Sequence, residues 1–162
     1  LNLNLRQDKG YSYGYRSWIE WHRQSSLFMA GGGVQTDVTK EAVQETLQEF
    51  HDIGGGKPVT EVEFEAAKAA LLRQLPSSFE NSWQVLEELV PLVSFNLPDD
   101  YYRTFPARIE AVPLEDVRRA AQERIDNNRL MLLVVGDREV IEPGLQEIGL
   151  PVSLIDHEGR EI

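Results

Sequence analysis

Arg6, Gly10 and Tyr13 lie close together near the start of the chain and are its best candidates for chemistry. Arginine presents a rigid, permanently charged fork of N–H donors, and tyrosine presents a neutral hydroxyl donor on a rigid ring. Two such donors that converge on one point could hold a peptide carbonyl, or the oxyanion that forms when the carbonyl is attacked. Gly10 would permit a tight helix-to-strand turn between them. On residue chemistry alone a structural alternative is favoured, in which Tyr13 packs in an aromatic strand and Arg6 caps the preceding segment.

Other catalytic patterns are missing from the sequence. The three histidines, at positions 22, 51 and 157, have no second histidine at helical spacing, so neither H-E-x-x-H nor H-x-x-E-H occurs. They are predicted to be surface or turn residues. There is no cysteine and no G-x-S-x-G motif, and neither glycine triplet (31–33 and 54–56) leads into the Lys-Ser/Thr of a phosphate loop. The sequence therefore predicts no catalytic residue and no metal ligand set in this chain.

Composition limits the class of protein. A chain of 162 residues with 41% hydrophobic and 27% charged residues can fill one well-packed core, but it is short for two domains. Its formal charge of −11 opposes binding to nucleic acid or an anionic membrane surface. No stretch approaches the roughly 18 apolar residues of a membrane helix. Because the chain has neither an initial Met nor a signal peptide, we expect a piece of a longer protein, and its compartment stays open.

Hydrophobic periodicity predicts an α+β domain over residues 1–162. Residues 1–5 alternate apolar and polar side chains, which suits a strand, although Leu1 and Leu5 would equally share a helix face. Thr39 is the predicted N-cap of the first long helix, and Thr60 with Glu63 forms the capping box of the second. The predicted elements are a β-hairpin over 11–35, helices over 40–53, 60–75, 78–95, 98–112 and 113–125, a buried strand over 130–135, a helix over 139–148 and a strand over 152–155.

Residues 1–14, with the pattern L-R-x-x-x-G-x-x-Y, closely resemble a segment of the pitrilysin/insulinase-type zinc peptidases. This family includes the mitochondrial processing peptidases and many bacterial zinc proteases, and the segment belongs to its C-terminal, non-zinc half. The resemblance continues in order through residues 33–37, 58–68, 110–112 and 134–137, so it spans nearly the whole chain.

The resemblance implies a fold. It is the two-layer domain of the processing-peptidase-like metallohydrolases, with a mixed, mostly antiparallel sheet and helices on one face. Residues 1–162 would be the substrate-binding C-terminal domain without its first strand and helix, and residues 1–9 would be the end of that helix. An unpaired sheet edge is then expected, which would lower stability and favour pairing with another chain.

The resemblance also implies a function. Arg6 and Tyr13 match the family's Arg/Tyr pair, which reaches the bound peptide near the scissile carbonyl, so they are the predicted substrate-binding residues. The expected partners are a peptide or unfolded protein and a zinc-bearing N-terminal half or partner subunit. Zinc is expected in that half, with no cofactor in this chain, and the fragment alone is predicted to be inactive. The alternative is a non-catalytic scaffold or peptide-binding subunit of the same fold.

Overall fold

Six α-helices and a two-stranded antiparallel sheet make up the computed structural model, which describes residues 1–162. The predicted α+β class is confirmed. The α-helices are α1 (Thr39–Ile53), α2 (Glu61–Gln74), α3 (Ser82–Ser94), α4 (Tyr101–Ala111), α5 (Leu114–Arg124) and α6 (Arg138–Gln146). A π-helix (Leu3–Asp8) and three 3₁₀ turns (Thr36–Val38, Leu75–Phe79 and Asn127–Arg129) complete the helical elements. The chain divides into two compact units, one of residues 1–20, 27–51 and 127–162 and the other of residues 21–26 and 52–126.

The sheet is the predicted β-hairpin. Strand β1 (Arg16–Glu20) pairs with β2 (Leu27–Gly31), and the register runs from Arg16 opposite Gly31 to Glu20 opposite Leu27. Aromatic and β-branched residues favour this pleated pairing. An isolated bridge between Ser12 and Val34 continues the association beyond the strands. The hairpin prediction is therefore confirmed, and the bridge links the segment that follows the π-helix to the segment that follows β2.

The core of the first unit gathers around α1. Its buried positions include Ala42 and Phe50 on α1 and Leu5 on the π-helix. The rings of Phe28 and Phe50 meet edge to face with centroids 5.7 Å apart, an arrangement that aromatic quadrupoles favour. Thr39 is not the N-cap that the sequence predicts, because the helical path already begins in the preceding 3₁₀ turn. Thr39 has helical dihedrals, and its hydroxyl donates to Thr36 O at 2.9 Å.

Side-chain caps fix where two helices of the second unit, α2 and α3, begin. The predicted capping box is confirmed: Thr60 N–H donates to Glu63 Oε2 (2.9 Å), and Glu63 N–H donates to Thr60 Oγ1 (3.3 Å). The hydrogen bonds from Thr60, its hydroxyl foremost, lower the pKa of Glu63. Helix α3 begins later than the predicted Ser78, because Asn81 accepts from the backbone N–H of Gln84 (3.0 Å) and completes a second capping box.

Two predicted strands do not form. The apolar run 130–135 belongs to no helix or strand, and residues 152–155 contribute only an isolated bridge between Ile155 and Glu161. Hydrophobicity and β-propensity describe a residue's fitness for a sheet, but a strand also needs a hydrogen-bonding neighbour. The hairpin does not extend to either segment, so the sheet is smaller than predicted.

None of the helices combines the length and the apolar character that crossing a membrane demands.

Candidate functional site

Leu5 is the anchor of the candidate site. Its side chain is 0% exposed, and its backbone carbonyl accepts hydrogen bonds from the N–H groups of Tyr11 (2.9 Å) and Ser12 (3.2 Å). These bonds fold the chain back upon itself. Because Arg6 follows Leu5 and Tyr13 follows Ser12, the two predicted site residues start from neighbouring points of the backbone.

The reversal depends on how the π-helix ends. Lys9 N–H donates to Asn4 O at 2.9 Å, and Gly10 then adopts a left-handed φ of +69°. A residue with a Cβ rarely adopts this conformation, whereas glycine reaches it without steric cost. Gly10 thus makes the turn that its position predicts, and residues 3–8 are helical, as the resemblance implies and the alternation of residues 1–5 does not.

Two glutamates of α1 hold the π-helix in place. The side-chain amide of Asn4 donates to Glu45 Oε2 (2.8 Å) and to Glu49 Oε1 (2.9 Å). Lys9 Nζ lies 3.0 Å from Glu45 Oε1, and this hydrogen-bonded carboxylate raises the pKa of Lys9. These residues were not predicted from the sequence. The available indication was the spacing of Glu45 and Glu49, which puts both carboxylates on one helix face.

Ser12 joins the turn to the chain beyond β2. Its side chain is buried, and its hydroxyl donates to Gly33 O (2.7 Å) while accepting from Gly14 N–H (3.1 Å). Gln35 N–H also donates to Tyr11 O at 3.0 Å. A cavity of about 530 Å³ lies here, and it is lined by Gly10, Tyr11, Ser12, Tyr13, Gly14, Gly33, Val34 and Gln35. Ser12 was not predicted, since a lone serine between two tyrosines carries no recognisable pattern.

The hydrogen-bonding groups of Arg6 and Tyr13 are both free. Tyr13 is 96% exposed on the wall of the cavity, and its hydroxyl makes no hydrogen bond within the chain. Arg6 is exposed on the π-helix outside the cavity lining, and its guanidinium makes neither a hydrogen bond nor an ion pair. The structural alternative, with a packed Tyr13 and a capping Arg6, is therefore not what the structure has. Two strong donors instead stand unpaired near one turn.

At Gly32 the backbone packs directly against the backbone of Gly14 beside the cavity. This contact gives a prediction about stability. A Cβ built on Gly32 would lie 2.2 Å from Gly14 O and 3.1 Å from the Cα of Tyr15, whereas one on Gly33 meets nothing within 4 Å. We expect Gly32→Ala to lower the free energy of unfolding by roughly 1–3 kcal/mol, because the backbone itself must move. Gly33→Ala is the matched control and should be neutral or stabilising by up to about 1 kcal/mol. Urea denaturation of both variants measures the difference, and equal midpoints would contradict the close-approach explanation.

The residues present do not fit a metal ion. No group of three or more His, Cys, Asp or Glu side chains is close enough to hold one. A protein-borne zinc or magnesium site needs about three or more such ligands converging on one point. At the turn itself, the donor groups open to a ligand include the guanidinium of Arg6 and the hydroxyl of Tyr13.

One strongly perturbed tyrosine lies elsewhere, in the second unit. The hydroxyl of Tyr102 is 2.5 Å from Glu88 Oε2, and partial burial, reinforced by this hydrogen bond, moves the pKa of Tyr102 well above its usual value. Its ring packs edge to face against Phe79 with centroids 5.2 Å apart. A tyrosine held this way stays protonated and links α4 to α3, so its role is structural.

Two comparisons with known proteins found a similar domain. Residues 1–71 match the family model described as the peptidase M16 inactive domain. A similar solved structure is the peptidase M16 inactive domain from Pseudomonas fluorescens, with a TM-score of 0.68 and 19% sequence identity. The match covers 78% of this chain and 30% of that one, so this chain spans less than a third of that structure's length. A search of curated proteins finds no match.

The sequence likeness to this domain is thus carried by residues 1–71, and over the wider chain the likeness is one of fold. The resemblance to the C-terminal half of the pitrilysin/insulinase-type peptidases is confirmed by the family match over residues 1–71. The solved structure has the same fold. Arg6, Gly10 and Tyr13 all lie within the matched residues.

Proposed function

We propose that this chain is the substrate-binding, C-terminal domain of a zinc-dependent metalloendopeptidase. In this role it helps to enclose a peptide and to orient it for hydrolysis by a zinc-bearing half. The observation that carries the proposal is the free donor pair: Arg6 and Tyr13 flank the hydrogen-bonded residues Leu5 and Ser12, and both donor groups are exposed and unpaired. This pair lies within the residues that match the M16 inactive domain.

The geometry suits a peptide carbonyl better than a charged ligand. Tyr13 offers a neutral hydroxyl, and the cavity it lines contains only uncharged residues and much exposed glycine backbone. Arg6 adds several N–H donors, which can continue to hydrogen-bond the carbonyl oxygen as negative charge develops on it. Exposed donors form weak hydrogen bonds in water, but the same donors bind more strongly once a covering surface excludes water. The pair would therefore work best when a partner half closes over the peptide.

Zinc belongs to the partner half in this proposal. The chain's own histidines and carboxylates do not gather into a metal site, and the role proposed for this chain is to bind and orient the peptide. The zinc-bearing half would be recognised by an H-x-x-E-H motif, either elsewhere in the same polypeptide or in a partner subunit.

Reconstitution tests the proposed function. Hydrolysis of a quenched fluorogenic peptide is measured for the zinc-bearing half alone, for this chain alone, and for the two together. We expect cleavage only from the combination, with the zinc in the other half. Equal cleavage by the zinc-bearing half alone would overturn the proposal. Peptide binding without cleavage by a combination that lacks H-x-x-E-H would identify a non-catalytic scaffold.

A further inference from the structure

Glu45, on α1, contacts the residues that lie on either side of Arg6 in the sequence. Its Oε2 accepts a hydrogen bond from the side-chain amide of Asn4 (2.8 Å), and its Oε1 lies 3.0 Å from Lys9 Nζ. One carboxylate thus uses each of its oxygens for a different contact. Arg6 is exposed, and its guanidinium has no hydrogen-bonded or ion-paired partner in the chain. The place of Arg6 therefore depends on the segment that carries it.

Both contacts depend on the helix type of this segment. Lys9 N–H donates to Asn4 O at 2.9 Å, which is the i to i+5 bond of a π-helix. Because that bond closes one turn, the two residues that it joins lie one above the other on the same side of the helix. In an α-helix, residues five apart are separated by about 140° around the axis, since each residue turns by about 100°. A carboxylate that holds both side chains therefore favours the π-helix over the α-helix.

The helix type in turn sets the direction in which Arg6 leaves the helix, because a change from π to α rotates residues relative to the axis. Tyr13 is held separately, through the hydrogen bonds that the hydroxyl of Ser12 makes with Gly33 O and Gly14 N–H. The contacts of Glu45 thus fix one donor of the pair with respect to the other. Single turns of π-helix are rare and are frequent at functional sites.

We propose that Glu45 is a positioning residue for Arg6. By holding Asn4 and Lys9 at π-helical spacing, it keeps the guanidinium where it and the Tyr13 hydroxyl can converge on one peptide carbonyl. This inference rests on the proposed function and adds a residue of α1 to the site. Glu49 accepts from Asn4 as well (2.9 Å), but the contact with Lys9 belongs to Glu45. A displacement of about 1 Å can cost on the order of 10²-fold in rate, so Glu45 affects cleavage without touching the peptide.

Exchanging the two charges tests the proposal in the assembled protein, which is the zinc-bearing half together with this chain. Glu45→Lys brings two cations together and should lower kcat/KM for a fluorogenic peptide by roughly 5- to 100-fold, mostly through kcat. Lys9→Glu brings two carboxylates together and should act in the same direction. The double variant restores an ion pair, and the amide of Asn4 can serve it because it both donates and accepts. Its kcat/KM should return to within about threefold of wild type.

Two milder or matched variants accompany the exchange. Glu41→Lys makes the same charge change one turn earlier on α1, at an exposed position, and should leave kcat/KM within about twofold of wild type. Glu45→Gln can keep the hydrogen bond from Asn4 but loses the ion pair with Lys9, so its kcat/KM should lie between those of wild type and Glu45→Lys. It replaces Glu45→Lys if circular dichroism shows that the latter does not fold.

Removing Arg6 separates positioning from a general loss of structure. In an Arg6→Ala background, Glu45→Lys should cause less than about a twofold further loss of kcat/KM, because the donor that it positions is already gone. Hydrogen exchange at the Lys9 amide, which bonds Asn4 O, reports the helix without reference to cleavage. It should be faster in Glu45→Lys and return to the wild-type rate in the double variant.

Cleavage by the wild-type assembly distinguishes failure of this inference from failure of the proposed function. If the wild-type assembly does not cleave, the proposed function falls and this inference falls with it. If it cleaves and a folded Glu45→Lys retains wild-type kcat/KM, only the role of Glu45 is overturned. An equal loss in the Arg6→Ala background, or a double variant no better than its single variants, overturns that role as well, since Glu45 would then support the fold rather than Arg6.

Discussion

Under the proposed function, replacing Tyr13 by Phe should reduce peptide cleavage by the assembled protein by about 10- to 10³-fold, the range typical for loss of one donor to a developing oxyanion. The change removes a hydroxyl that makes no hydrogen bond within the chain and belongs to a side chain that is 96% exposed. Folding should therefore be unaffected, and the loss should fall on the chemical step. The measurement is kcat/KM for a quenched fluorogenic peptide, together with the zinc content of the purified protein, which should not change.

The matched control for Tyr13→Phe is Tyr101→Phe. Tyr101 lies at the start of α4, and its ring contacts Tyr102 and Phe105. Loss of its hydroxyl should leave cleavage within about twofold of wild type, since it takes no part in the proposed site. Wild-type turnover by Tyr13→Phe would refute the role given to this residue. A parallel loss of zinc would show that the variant acts through assembly of the two halves rather than through the bound peptide.

Local chemistry accounts for the features that the sequence predicts well. The capping box of Thr60 and Glu63 joins residues three apart, and both partners can be identified by eye. The turn at Gly10 depends on a single residue that can adopt a positive φ. The hairpin of β1 and β2 joins neighbouring aromatic and β-branched segments. In each case the interacting groups are close in the sequence, so their pattern and their physical cause are visible together.

Features that depend on distant partners could not be predicted in this way. The apolar run 130–135 has the composition of a buried strand, but its pairing depends on a neighbour that its own residues do not supply. In this segment, tertiary context decides against a correct local preference. The Thr39 error has a local cause instead, because the 3₁₀ turn that directly precedes this residue already starts the helical path.

The candidate site likewise combines residues that could be predicted from the sequence with residues that could not. Arg6 and Tyr13 could be singled out because their residue types carry chemistry and their spacing matches a family pattern. The contacts that hold them span long separations in the sequence, such as Asn4 with Glu45 and Ser12 with Gly33. A single sequence gives no means of pairing residues so far apart. The residues proposed to act on a ligand were thus easier to find than the residues that position them.

Leu5→Ala should have the largest effect on stability of any change near the site, and it tests whether positioning depends on one buried side chain. Leu5 is 0% exposed, and its carbonyl accepts the two N–H groups that fold the chain back toward Tyr13. Truncation should lower the free energy of unfolding by roughly 2–5 kcal/mol, through lost apolar burial and the cavity left behind. Against a typical total of about 5–15 kcal/mol this is a large fraction, so the folded population should fall measurably with heating.

The neighbouring Leu3 provides the matched control for Leu5→Ala. Leu3 lies on the same π-helix but is 62% exposed, so Leu3→Ala should change the unfolding free energy by about 0.5 kcal/mol or less. Chemical denaturation of the two variants compares the same Leu→Ala substitution at a buried and at an exposed position. If both variants lose the same stability, the helix itself and not the burial of Leu5 carries the energy. If Leu5→Ala alone is destabilised and also loses cleavage in the assembled protein while still folded, the buried leucine fixes the geometry of Arg6 and Tyr13.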